Sequence, residues 1–466
     1  MARYVQKNIQ KINSLFKIHL FLGDEDDIQV LTDFEQCQHS IIRLLKTAKS
    51  TIYYSTFLCD FDHKMEDSMG EKVTMMELIH DAARRNVEVH LLYNPISDYG
   101  TSNVEDLCNR LPQNVIIHSS VSDHEPGAIT KHLSNNSKYA FHHQKYICID
   151  GNVPNEGKIM VTGCDVNSER GGWLEKNRLG YFWHELGVVA NCPKETFEYI
   201  ASQHNVLTKY MFDDAMVPAP FPLVNGGWIE ENLMVEMITT AKYSIQLENQ
   251  IFISGGNWQE NRIAQAIVHR ICRGLEDGDD FHALVLTNAA QQDEPSFFTR
   301  KYCEISLTYT IGGMEALALS RGFTLDQFYS RIFIGRLEHN GILVKVHSNI
   351  LIQDGHRAIR TSSNLADRSL SHRPCDTELG IMIEGRVVAH LQTDLLEMYV
   401  GDKTTTIKNI VRNLKASMQY GNIHPIQLAD WSTTWAAFCL SFFVLMSEGA
   451  TGGRYQVTFS TKCQPR

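Results

Sequence analysis

Hydrophobic and polar positions along the chain fall into two similar blocks. In the first, Ile41, Ile42, Leu44 and Leu45 recur as on one helix face, and the β-branched and aromatic run of AKSTIYYSTFLCD (48–60) follows. In the second, Leu233, Met234, Met237 and Ile238 precede AKYSIQLENQIFIS (241–254) in the same way. Both blocks predict a helix followed by a buried strand. Helical segments from Met75 to Arg85 and from Ile263 to Arg273 then lead into strand-like VEVHLLYN (87–94) and FHALVLTN (281–288). The copies lie roughly two hundred residues apart, far beyond a solenoid period. Helices alternating with strands predict an α/β fold. We expect two similar α/β/α lobes, each a central mixed sheet covered by helices. Clefts between domains favour ligand sites, so the lobes would pack pseudo-symmetrically around one active site.

The Pro/Gly-rich stretch MVPAPFPLVNGG (216–227) marks the boundary, because proline removes backbone donors and glycine loosens the chain. The expected organisation is a basic amphipathic N-terminal segment (1–16), an N-terminal lobe (17–222), a C-terminal lobe (223–400) and a C-terminal extension (401–466). Val5, Ile9, Ile12 and Phe16 recur at helical spacing beside Arg3, Lys7 and Lys11. A helix packed on the domain and a membrane-surface or targeting segment both fit that pattern. WAAFCLSFFVLM (435–446) is apolar but only about half the length that a spanning helix needs, which predicts a buried element.

Charge and cysteine usage narrow the picture further. A net charge of -11 argues against a general nucleic-acid binder. The 11 cysteines are scattered singly, with neither a CxxC pair nor zinc-like spacing. That usage predicts free thiols and a cytoplasmic protein, with room for peripheral membrane association.

The candidate chemistry lies in matched motifs. FHHQKYICIDG (141–151) sets His143, Lys145 and Asp150 in the pattern H-x-K-x4-D, with the first two expected on one face of a strand. VHSNILIQDG (346–355) repeats the spacing with His347, Asn349 and Asp354. TGCD (162–165) is matched by TSSN (361–364), and HELGVVA (184–190) by TELGIMI (377–383). Three correspondences in the same order in both halves are not coincidence. A histidine nucleophile can split a phosphodiester displacement into two easier steps. A second histidine can protonate the leaving alcohol and then deprotonate water. Cations and amide donors would hold the equatorial oxygens.

These motifs resemble the phospholipase D superfamily over about residues 17–400, and LENQIFIS (247–254) and CDTELGIMIEG (375–385) are similar to segments of its eukaryotic-type members. The resemblance implies that His143 is the nucleophile and His347 the general acid/base, with Glu185 and Glu378 orienting the two imidazoles. Lys145, Asn349, Asp165 and Asn364 would bind the phosphate, while Asp150 and Asp354 serve the architecture. His142, offset by one from the motif, is expected to be structural. The implied activity is hydrolysis of a glycerophospholipid such as phosphatidylcholine to phosphatidate and free head group. No cofactor or metal is implied. The implied partner is a phospholipid membrane surface and not nucleic acid, and a monomer is expected because both lobes share one chain. The segment between Gln291 and Glu338 resembles an insertion that walls the cleft of lipid-hydrolysing members. Its own pattern, with Ile311, Met314, Leu317 and Leu319 at helical spacing, equally fits a core helix.

Asn349 departs from the pattern, since a neutral amide stands where lysine is expected. Losing one such donor at a transition-state oxygen costs about 10²–10³ in rate, which slows an enzyme without excluding one. Arg368 and Lys345 are candidates to restore the charge. A phosphatidyltransferase, a nuclease or a catalytically impaired phospholipid-binding protein are the alternatives.

Overall fold

The computed structural model describes residues 28–93, 104–119, 143–167, 170–172, 182–198, 200–201, 204, 227–253, 261–288, 297–366, 369–370, 378–417 and 419–426. The N-terminal segment 1–16, His142, most of the proline-rich boundary, Arg368 and the apolar stretch 435–446 lie outside the described residues.

The first half supplies β1 (Ile28–Leu31), α1 (Phe34–Thr47), β2 (Thr51–Ser55), the small hairpin β3 (Lys64–Glu66) and β4 (Lys72–Thr74), and α2 (Met75–Arg84). It continues with β5 (Glu88–Tyr93), α3 (Val104–Arg110), β6 (Val115–Ser119), β7 (Tyr146–Ile149), β8 (Lys158–Thr162), β9 (Phe182–His184) and β10 (Gly187–Asn191). The second half supplies α4 (Gly227–Thr240), β11 (Ser244–Asn249), α5 (Arg262–Asp277), β12 (His282–Thr287), α6 (Phe297–Ser320), α7 (Leu325–Tyr329), β13 (Ile332–His339) and β14 (Ile342–Val346). It ends with β15 (Ile350–Gln353), β16 (Arg357–Thr361), β17 (Gly380–Glu384), α8 (Arg386–Val400), α9 (Ile407–Ser417) and β18 (Ile423–Pro425).

A mixed α/β fold results. One sheet runs β1-β10-β8-β7-β2-β5-β6 and the other β17-β16-β15-β11-β12-β13-β14-β9. The run β10-β8-β7-β2-β5-β6 matches β17-β16-β15-β11-β12-β13 strand for strand. The pairing senses also agree, with β2 and β11 each parallel to the next helix-linked strand and antiparallel to the motif strand. The capping box of α2, in which Thr74 and Glu77 satisfy each other's groups, shows how local chemistry fixes a helix start.

Two departures tie the halves together. β9 leaves the first half and pairs in parallel with β14 at the edge of the second sheet, with Trp183 opposite Lys345. β18 pairs with β13, so part of the expected C-terminal extension completes the second sheet. The sheets share one buried layer that includes Val161 and Val188 from the first and Leu284, Ile350 and Ile352 from the second. Helices α1 and α2 cover the outer face of the first sheet, and α4, α5 and α6 that of the second. Burial on both faces explains why β7 and β12 read as unbroken apolar runs rather than alternating ones. In α6 the buried stripe is Leu307, Ile311, Met314 and Ala318, whereas Leu319, expected in it, is 52% exposed. Among the described residues no helix is long and apolar enough to cross a membrane.

Candidate active site

Both motifs stand where a motif strand begins, beside the carboxyl end of its antiparallel neighbour. His143, Gln144 and Lys145 precede β7 rather than lying within it, and Ser55 at the end of β2 donates its hydroxyl to the Gln144 carbonyl at 2.9 Å. His347, Ser348 and Asn349 likewise fill the gap between β14 and β15. The expectation that His143 and Lys145 share one strand face is therefore corrected, because the ladder starts only at Tyr146. Ligand sites favour the ends of strands in such sheets, where backbone groups leave the ladder.

The imidazole–carboxylate pairs are crossed between the halves. Nδ1 of His143 lies 3.0 Å from both carboxylate oxygens of Glu378, although 235 residues separate the two. Nδ1 of His347 lies 2.9 Å from Oε1 and 3.1 Å from Oε2 of Glu185. Each imidazole thus turns Nδ1 to a carboxylate, which leaves its Nε2 as the ring nitrogen available for chemistry. Glu185 is brought to His347 by the strand that crosses over, since the backbone N–H of His347 donates to the carbonyl of His184 at 2.9 Å. Gln144 adds a further tie, donating Nε2 to the Glu378 carbonyl at 3.2 Å.

The two pairs differ electrically. Burial alone would raise the Glu378 carboxyl, but His143 and the hydroxyl of Ser362, which donates at 2.5 Å, outweigh it and hold the group below its usual range. Glu185 is pushed up to about 7 by burial, despite Arg170, Arg360 and Lys145 nearby. His347 is held well below the ordinary histidine value by burial, with Arg170, Lys145 and Lys345 adding to the effect. The histidine ring also meets Trp183 edge-on at 5.3 Å, while His143 meets Phe57 at 5.2 Å.

The motif aspartates are tied into the backbone. Asp150 accepts from the N–H groups of Lys49, Ser50 and Thr51 at 2.7–3.1 Å. Asp354 accepts from those of Lys242, Tyr243 and Ser244 at 2.7–2.9 Å. Both aspartates are in the left-handed region, with φ of 53° and 55°. Such a carboxylate fastens the helix–strand corner and has no oxygen to spare for substrate.

Four residues were expected to bind phosphate. Lys145 is buried and donates to its own His143 carbonyl at 3.0 Å. Burial lowers its pKa, partly offset by Asp165 and Glu378. Asn349 accepts the Gln250 N–H at 2.9 Å and turns its amide toward the Ser362 carbonyl and Asn364 Oδ1, both at 3.4 Å. Asp165 accepts from the Thr56 hydroxyl at 2.8 Å, from the N–H groups of Phe57 and Leu58 at 3.1 Å, and from Arg170. Although burial works against it, Lys145 and Arg170 keep this carboxyl well below its usual range. An ionised carboxylate has only acceptors, and those of Asp165 meet a hydroxyl, two backbone N–H groups and a guanidinium. Lys345 lies 4.3 Å over the Trp183 ring.

Residues outside the motifs complete the site. The guanidinium of Arg170 lies 4.4 Å over the Trp183 ring. Arg360, fully buried, donates to the Leu186 and Thr361 carbonyls at 3.2 and 2.6 Å. A side chain at Gly163 would come within 2.4 Å of Glu185 Oε2 and 2.7 Å of the Arg360 guanidinium, which explains glycine there. Behind the site, Glu248 receives His184, Ser348 and Tyr399 at 2.6–2.9 Å. Sequence reasoning gave these residues no role, although Gly163, His184, Glu248 and Ser348 lie inside quoted segments and Arg360 adjoins TSSN, because their partners come from distant parts of the chain. Among the described residues, no cluster of three or more His, Cys, Asp or Glu is arranged to hold a metal ion.

No family model matches the chain. It is 25% identical over 225 residues to phospholipase D zeta 2 of Arabidopsis thaliana, a match covering 43% of the chain and 21% of that protein. It is 28% identical over 160 residues to phospholipase D B of Dictyostelium discoideum, covering 32% of the chain and 13% of that protein. The matched stretches thus span about a fifth or less of these relatives. In fold it resembles a phosphatidylserine synthase of Haemophilus influenzae, with a TM-score of 0.54 at 12% identity over 95% of this chain and 99% of that one. In its paired motifs, its matched sheets and these relatives, the chain is similar to the phospholipase D superfamily.

Proposed function

We propose that the protein is a phosphodiesterase of the phospholipase D type, hydrolysing a glycerophospholipid to phosphatidate and free head-group alcohol. The crossed pairs His143–Glu378 and His347–Glu185 carry this reading, because they leave two imidazole Nε2 atoms for in-line displacement at one phosphorus. Nε2 of His143 attacks phosphorus and the bond to the head-group oxygen breaks, with His347 donating a proton to that oxygen. His347 then takes a proton from water, whose oxygen attacks phosphorus and releases His143. Lys145, Asn349 and Asn364 would hold the equatorial oxygens. The phospholipid names of the relatives support the substrate class.

One observation favours exchanging the two roles. His347 is held neutral by burial and nearby cations, as a nucleophile requires, and Glu378 is ionised beside His143, as a proton donor requires. A bound phosphodiester anion would offset those cations and return His347 toward protonation. The first assignment therefore includes proton uptake on binding, and the exchanged one does not.

Purified protein is assayed for phosphatidate and head-group release from phosphatidylcholine vesicles, with and without a primary alcohol as alternative acceptor. His143→Ala, His347→Ala and Asn349→Lys variants run alongside. Loss of release in both histidine variants is expected, and a trapped phosphohistidine at 143 assigns the nucleophile. A trapped phosphohistidine at 347 exchanges the roles. An inactive wild-type protein that Asn349→Lys does not activate overturns the hydrolase reading.

A further inference from the structure

We propose that Arg170 is a phosphate ligand of this site and supplies the second cation that Asn349 does not. The inference rests on the phosphodiester reading above and names where the anion grip comes from. Lys145 and Arg170 both belong to the first half, whereas the matching positions of the second half hold the neutral residues Asn349 and Ser369. The grip on the substrate is thus one-sided.

Three observations place Arg170 in this role. Its side chain is buried, 9% exposed, where a cation needs partners to be tolerated. One guanidinium edge meets Asp165, while Nε is buried without a hydrogen-bond partner. An unmet donor on a buried guanidinium is costly unless an acceptor arrives, and a phosphate oxygen is such an acceptor. The guanidinium also lies against Trp183, whose ring packs on His347, so it borders the reacting centre rather than the protein surface. Asp165 holds the fork in place and shares Lys145 as a neighbour, which keeps two cations close together without leaving their charge uncompensated. Of the expected substitutes for the lost lysine, Lys345 lies over the same Trp183 ring and Arg368 is outside the described residues.

The test reads binding separately from turnover. Inorganic phosphate is titrated into the full chain by calorimetry or phosphorus NMR. Wild type should bind saturably, and Arg170→Gln should bind about ten- to a hundredfold more weakly, the usual effect of losing a charged hydrogen-bond donor. Asn349→Lys placed in the Arg170→Gln background should recover part of the loss. If Arg170→Gln does not fold, Arg170→Lys carries the test, since it keeps the charge but loses the fork and Nε; a weaker grip is expected. Phosphate affinity within twofold of wild type in a folded Arg170 variant overturns the proposal. So does a wild type that binds no phosphate. A purely structural ion pair would lower the melting temperature and leave phosphate affinity unmoved. Because no turnover is needed, an inactive protein that still binds phosphate through Arg170 would refute only the hydrolase reading.

Discussion

The two halves build the same corner and then equip it differently. Asp150 and Asp354 fasten their helix–strand corners with three backbone N–H groups each, and both sit at nearly the same positive φ. Thr162 and Thr361 each donate a backbone N–H to the carbonyl of the third motif residue, Lys145 or Asn349. One position further on, the halves diverge. Gly163 leaves room for Glu185 and Arg360, whereas the matching Ser362 donates its hydroxyl to Glu378. The carboxylate that meets a hydroxyl and an imidazole is held ionised, whereas burial pushes Glu185 up to about 7 even though buried guanidinium groups lie nearby. Matched backbones can therefore carry unmatched electrostatics.

The largest effect should come from the crossed pairs. Glu378→Gln removes an ionised partner and is expected to lower kcat about ten- to a hundredfold at neutral pH, as loss of an orienting carboxylate does elsewhere. Glu185→Gln should cost less, because Glu185, raised to about 7, is already substantially protonated there. Steady-state rates at pH 7 decide the matter, and equal losses would erase the electrical asymmetry.

The corners offer a second comparison. Asp150→Asn and Asp354→Asn each strip three backbone donors of an ionised acceptor and should destabilise the fold by about 1–3 kcal/mol. Denaturant melts should give similar losses for the two. A clear inequality would show that the corners, despite matching geometry, are not energetically equivalent.

The smallest effect concerns a buried acid of the second half. Glu230 accepts from the hydroxyls of Thr361 and Ser363, and burial pushes it up from 4.5 to about 7. A carboxyl raised in the folded state contributes its stability below the unfolded value near 4.5 and loses it as pH rises through about 7. Glu230→Gln, which stays neutral, should therefore stabilise by on the order of 1 kcal/mol at pH 8 and confer no such gain at pH 4. Thermal melts at the two pH values test this, and a gain independent of pH would reject the ionisation account.

Much of this was legible in the chain itself. Local periodicity located α1, β2, α2 and β5 and their counterparts α4, β11, α5 and β12, because each buries a face whose spacing is written in consecutive residues. The repeated H-x-K-x4-D spacing fixed which residues stand together at a strand's start, since His143 and Lys145 are bound by their own backbone. Leu319 escaped that logic, because helical spacing tells which residues share a face but not how far the partner surface extends. Tertiary structure alone decided that Glu378 pairs with His143 and Glu185 with His347, that β9 crosses to the second sheet, and that Asp165 meets Arg170. Those contacts depend on burial and on partners brought from the other half. The charge each group carries follows from that company, and not from its place in the sequence.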